Sequence, residues 1–413
     1  MASVALLSSC SQDETLSPNS PSNDGLVEIK IGVSHKNELS TRGTGTVGDS
    51  TVVGNFWNGQ DVNICMFNKG TIHYTKENGV ALFDHTTTVI TPSGFQSGEA
   101  PRSDNEVKYY PTQGEFDFWG FHLDDAYDGS EPTIVDNGDG TESLVVDFTI
   151  DGTQDIMVAK AAPDTMALKE KYTEDGELNE EEFNTTLNRV YSAYAARRDI
   201  QPTLSFKHLL TRLTFQIKGG DASVCEGENE IYVDAIKVKS LTSGKLIIAY
   251  TGEEAKNQIS FNEDTEQELV LMQRAGDNKN ENLVDLEPVC PKVSEENGPE
   301  WTSVGEALLV APTTEEGYAL EVNLRQKVVV RRYVNEDGET IEEREDKPYS
   351  YTATITNKKN DLNPNAAFEA GKSYNVKLTI WGLSEIKITT ELQKWEFGGN
   401  IDLPIEDEGF AKN

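Results

Sequence analysis

Basic residues are scarce in this sequence: 36 lysines and arginines stand against 71 aspartates and glutamates, a formal net charge of −35 over 413 residues. That balance excludes nucleic acid as a partner, because phosphate binding needs clustered Lys and Arg. Long apolar runs are missing as well. No stretch of about 18 apolar residues occurs, so no helix of this chain is expected to span a bilayer. Cysteine is sparse: Cys10, Cys65, Cys225 and Cys290 show neither CxxC nor Cys/His zinc spacing, and mostly free, buried thiols are expected. The abundant acids suggest a solubilising surface. Residues 136–140 come nearest to a calcium loop but lack the EF-hand spacing, and they read as a hairpin turn. A literal GxGxxG begins at Gly43, yet the residues after it have no helical period, so no dinucleotide cradle forms. No metal site and no cofactor are expected.

The sequence does contain turns and alternation. With 33 Gly, 15 Pro, 36% hydrophobic residues and 8% aromatics, it suits a turn-rich, β-dominated chain. In residues 26–34, Val27, Ile29, Ile31 and Val33 fall on one face of an extended segment and Glu28, Lys30 and Ser34 on the other. This is the pattern of a half-buried strand. Short strands and turns follow from 61 to 121 and again over 142–150 and 156–160. The aromatics at 109–121 fit a sandwich core better than an exposed sugar platform. Between 178 and 197 the period changes: Leu178, Phe183, Leu187, Val190, Tyr191 and Tyr194 recur at helical spacing, which predicts one amphipathic helix. Alternation resumes after 200 and continues to Trp395, with an acidic hairpin tip at 335–339. His208 has no second histidine or cysteine at ligand spacing and reads as structural. The expected fold class is mostly β: two tandem β-sandwich domains, 26–199 and 200–413, with one helix near the boundary and a tether over 1–25.

Several motifs occur in a telling order. Leu7-Ser8-Ser9-Cys10 resembles a bacterial lipobox, with the true start of the signal expected upstream, and Asp13-Glu14 resembles a surface-export signal. Thr41-Arg42 follows the first strand. Tyr109-Tyr110-Pro111 precedes an aromatic strand, and Phe206-Lys207-His208-Leu209-Leu210-Thr211-Arg212-Leu213 opens the second half. Leu309-Val310-Ala311-Pro312, Phe368-Glu369-Ala370-Gly371-Lys372-Ser373-Tyr374 and Trp395 come later. Together these resemble the fimbrillin family of Bacteroidetes-type bacteria, subunits of type V pili. The resemblance implies transthyretin-like sandwiches, lipidation of Cys10 and outer-membrane attachment. It also implies cleavage by a trypsin-like maturation protease between Arg42 and Gly43. Removal of the first strand (Val27, Ile29, Ile31, Val33) would open a groove for a strand of another pilin subunit. Strand addition to an open sheet edge is a known recognition mode, and pilin donor-strand complementation is one instance of it. Extended C-terminal sequence is the candidate donor, with Ile386, Ile388, Leu392, Ile401, Leu403 and Ile405 as its apolar residues.

An enzyme is not expected. Acidic pairs such as Asp124-Asp125 have the composition of a glycosidase dyad, but a sequence this rich in acids produces them by chance. The alternative to a pilus subunit of stalk, tip or anchor type is a non-polymerising surface lipoprotein that binds glycan or host protein.

Overall fold

The structure is a computed structural model that describes residues 25–35, 61–73, 76–77, 80–84, 87–90, 102–103, 108–227, 230–255, 257–276, 282–294, 298–313, 317–357 and 366–393. Among these residues the fold is mostly β. Its largest sheet has seven strands in the spatial order Gly32–His35, Thr203–His208, Met157–Lys160, Phe116–His122, Asp61–Asn68, Thr87–Ile90, Arg102–Ser103. Alternation makes both faces of this sheet apolar. Val62, Ile64, Met66 and Phe118 enter one core, and Cys65, Phe67, Trp119 and Phe121 enter another on the opposite side. Tyr110 and Phe116 are buried too, so the aromatic stretch is core, as expected.

The second core closes against a four-stranded sheet that joins strands from both halves of the chain. That sheet runs Ile259–Phe261, Ser243–Tyr250, Glu142–Thr149, Thr133–Asp136. Leu246 pairs with Val146 and Gly244 with Phe148, joining strands about a hundred residues apart. The strand Ile231–Leu241 belongs to a different sheet, and one residue later the chain enters Ser243–Tyr250. Thr242 at this crossing is buried, and its hydroxyl donates to the Thr265 carbonyl at 2.8 Å. Thr203–His208, which follows the expected boundary at 199/200, pairs with Met157–Lys160. Change of local period from helix to strand marks an element end, and says nothing of which sheet the next strand joins.

A third core lies between two further four-stranded sheets. One is ordered Thr302–Val310, Thr211–Gly219, Ser373–Gly382, Glu385–Gln393, the other Glu266–Val270, Ile231–Leu241, Tyr318–Val334, Thr340–Ile355. Phe215, Ile217, Val376 and Leu378 from one sheet meet Val233, Ile236, Leu320 and Val322 from the other. The hairpin Tyr318–Val334/Thr340–Ile355 runs past Gln326, the last of its residues paired to Ile231–Leu241. Beyond that point ion pairs such as Arg332–Glu342 and Arg331–Glu343 line its rungs. Gly338 takes the positive φ that the expected tip at 335–339 requires.

The single helix expected over 178–197 is instead broken. Glu180–Asn188 starts on the Asn179 cap and Ala193–Ala196 on the Ser192 cap. Between them Tyr191 takes φ +58, and its ring goes into the first core, edge-on to Phe118 at 6.0 Å. The Tyr191 carbonyl accepts from the Phe116 amide, so core burial and sheet pairing together end the helix. A further helix, Thr165–Lys171, capped by Asp164, had no apolar periodicity to announce it.

Because strands from both halves share one sheet, Leu246→Ala is expected to destabilise the whole protein by about 2–5 kcal/mol. Urea unfolding followed by circular dichroism and by fluorescence should shift together, with one transition in each signal.

Candidate functional site

The first strand lies at the open end of the seven-stranded sheet. Ile29 and Ile31 are 7% and 5% exposed and enter the first core, Val27 is half-buried against it, and Glu28 and Lys30 face solvent. The alternation read from the sequence thus places its apolar side inward at these positions. Val33 pairs in register with Leu204.

The segment holds two partners in succession. Its beginning pairs antiparallel with the stretch before the aromatic strand: the Ile29 amide donates to the Lys108 carbonyl and the Tyr110 amide to the Val27 carbonyl, both at 2.8 Å. Its end, Gly32–His35, pairs parallel with Thr203–Phe206. Pro202 stands just before that strand and has no N–H to give. The Gln201 side chain fills the step: its Nε2 donates to the Glu28 carbonyl and its Oε1 accepts from the Lys30 amide, each at 3.2 Å. Arg197 adds a bond to the Gly25 carbonyl at 3.3 Å. Leu204 and Phe206, which the first strand covers, pack over Gly120, where a Cβ would fall 2.7 Å from Phe206 Cζ. A side chain there would force Phe206 to shift.

The other expected site residues divide into two groups. Cys10, Arg42, Gly43, Ile401, Leu403 and Ile405 lie outside the described residues. Ile386, Ile388 and Leu392 lie on Glu385–Gln393, which pairs antiparallel with Ser373–Gly382 along its length. Ile386 is buried in the third core, Ile388 packs against it, and Leu392 is exposed. In this structure that part of the candidate donor is a resident edge strand of its own sheet.

Sequence reading missed a polar network at the join between the sheets. His208 has a partner 53 residues away: its Nδ1 lies 2.7 Å from Asp155 Oδ2, with both side chains buried. The Asp155 amide donates to Asp124 Oδ2 at 2.9 Å, and Gln154 Nε2 donates to Asp125 Oδ1 at 2.8 Å. His122 Nε2 sits 3.0 Å from Asp124. The Asp124-Asp125 pair is thereby occupied in holding the segment that leads into Met157–Lys160. Arg212 begins the third core beside this network, where burial lowers its guanidinium to about 10 against the opposing pull of Asp155 and Glu306. No local motif announces these contacts, since, apart from His122 and Asp124, the partners are remote in sequence. His208, which has no second histidine or cysteine at ligand spacing in the sequence, is thus paired with a buried carboxylate.

Two outcomes test this geometry. Gln201→Ala removes two bonds to the first strand, worth about 1–3 kcal/mol together, so amide exchange over residues 28–31 should quicken about tenfold or more while the third core is unchanged. Asp155→Ala leaves His208 buried without its carboxylate and should cost about 3–5 kcal/mol in urea unfolding.

No protein-family model matches this chain, and no curated protein matches it. Solved structures do. A candidate cell adhesion protein from Parabacteroides distasonis is 10% identical with a TM-score of 0.40, covering 90% of this chain and 97% of its own. Another from Bacteroides eggerthii is 12% identical with a TM-score of 0.38, covering 90% and 96%. The fimbrial anchor protein Mfa2 from Porphyromonas gingivalis is 10% identical with a TM-score of 0.28, covering 89% and 98%. These structural neighbours are fimbrial and candidate cell-adhesion proteins, and likeness at this level carries no residue role over to this chain.

Proposed function

We propose that this chain is a structural subunit of a surface fimbria, exported on a lipid at Cys10 and assembled when a trypsin-like protease cuts between Arg42 and Gly43. Its role is mechanical and adhesive rather than catalytic. The observation that carries this reading is the state of the first strand. It ends one edge of the seven-stranded sheet, it fills the core with Ile29 and Ile31, and its connections are mostly main-chain bonds that another extended segment can reproduce. Burying one isoleucine is worth roughly 1.5–3 kcal/mol. Loss of both, together with the edge hydrogen bonds, would leave Leu204, Phe206 and Tyr110 facing water and favour a replacement strand.

The donor is proposed to come from the C-terminal sequence of another subunit. The resident pairing of Ile386 and Ile388 favours the part that follows them, with Ile401, Leu403 and Ile405 as the residues that would enter the groove. Other pilin subunits and the outer membrane are the partners this requires.

Limited trypsin digestion of the purified protein checks the proposal. One dominant cut with Gly43 as the new N-terminus, followed by ladders of oligomers resistant to mild heating in detergent, is the expected result. Arg42→Ala should abolish both. A chain that is cut there and stays monomeric, or that loses no first strand, would set the reading aside.

A further inference from the structure

Two tryptophans stand exposed on one outer face of the sheet that carries Thr211–Gly219. Trp301 precedes the strand Thr302–Val310 and is 39% exposed, and Trp381 on Ser373–Gly382 is 48% exposed. The pairing of Ile217 with Thr302 sets Trp301 beside Lys218, whose partner on the other side is Thr379. Trp381 sits at a bulge two residues beyond Thr379, and its indole lies over Gly220, two residues beyond Lys218, so it projects from the same face. Two strand spacings across and two residues along separate the tryptophan Cα atoms by roughly 12 Å, a span that a short oligosaccharide bridges.

Trp381 is seated on the backbone, and two ammoniums lie over Trp301. Trp381 lies over Gly220, where a Cβ would come within 2.1 Å of Cδ2, so only glycine lets the indole settle against the backbone. Trp301 has Lys218 Nζ 5.8 Å and Lys377 Nζ 5.3 Å from its ring centroid. Lys387, opposite Thr379 and exposed, adds a third ammonium to this face. Glu391 is an acid among them, and it pairs with Lys377 at 2.6 Å. In a protein with twice as many acids as bases, a face that carries three lysines, two of them over Trp301, is a local reversal of charge.

We propose that this face binds an acidic glycan, with sugar rings stacked on Trp301 and Trp381 and a carboxylate or sulfate held by Lys218 and Lys377. An indole offers a flat apolar surface to the C–H side of a sugar ring, exposed apolar patches rimmed by polar groups mark binding sites, and the lysines select ligands that carry negative charge. The inference is independent of strand exchange, and its test uses the uncut chain, so either reading can fail without the other.

Titration of the full chain with a hyaluronan hexasaccharide, 3′-sialyllactose and a sulfated chondroitin hexasaccharide, followed by tryptophan fluorescence and calorimetry, decides it. Lactose and maltohexaose are the neutral controls. Saturable binding at millimolar concentration or below by at least one acidic probe, stronger than its neutral control, is expected. Trp381→Ala and Trp301→Ala should each weaken it about tenfold with thermal unfolding unchanged, and Lys218→Glu should remove the preference for acidic over neutral sugar. Absence of binding by all three acidic probes overturns the proposal, as does equal binding by the tryptophan variants. Concentration-dependent self-association of the parent chain that Trp301→Ala abolishes, without sugar binding, would assign the face to a second copy instead.

Discussion

A β-sheet must end somewhere, and at its end a row of main-chain donors and acceptors has to meet something. At one end of the seven-stranded sheet, what they meet is the first strand, and the first core depends on that strand because Ile29 and Ile31 supply part of its filling. The strand is held in an unusual way for a core element. It pairs first antiparallel, then parallel, and between the two partners a single glutamine side chain stands in for backbone that Pro202 cannot provide. Apolar burial of Ile29 and Ile31 favours its staying, and its other described contacts are hydrogen bonds along the edge. A segment of this kind combines a large contribution to stability with a short list of contacts to break.

The rest of the molecule is built in the opposite way. The chain crosses between cores at Thr242, so the strand Ser243–Tyr250 completes a sheet begun a hundred residues earlier. The buried set around Asp155, His208 and Arg212 sits where the seven-stranded sheet hands over to Thr211–Gly219. Removing either would disturb two cores at once. Contact order is high here, and such a topology opens as a unit rather than strand by strand. The contrast gives the proposed exchange its physical basis: one peripheral strand would be separable where the cores behind it share their sheets and polar contacts.

Much of this was legible in the residues, and the limits are instructive. Alternation at 27–31 gave both the strand and its inward face, since a period of two is local and survives any tertiary context. The aromatic stretch at 116–121 was assigned to core correctly for the same reason. The helix over 178–197 was overextended because its apolar spacing continued through Tyr191, where a positive φ is set by packing against Phe118 and pairing with Phe116. The partner of His208, the pairing of Leu246 with Val146 and the placement of Thr203–His208 were hidden, being properties of strand order rather than of any window of sequence. The exposed tryptophans were hidden too: Trp301 and Trp381 acquire their neighbours Lys218 and Gly220 across strands.

Net charge bears on how such subunits could join. Two copies carrying −35 each repel, but at physiological ionic strength the screening length is about 8 Å, so the repulsion is felt only near contact. Long-range attraction cannot bring them together, and association has to be driven by short-range terms that outweigh it: apolar side chains entering a vacated groove and main-chain hydrogen bonds along its edge. Those are the terms concentrated at the first strand. The same screening lets a small cluster of lysines act locally on an acidic surface, because beyond that distance the acids elsewhere on the molecule no longer cancel it. Charge of one sign over the whole therefore leaves both surfaces free to act, each through contacts made at close range.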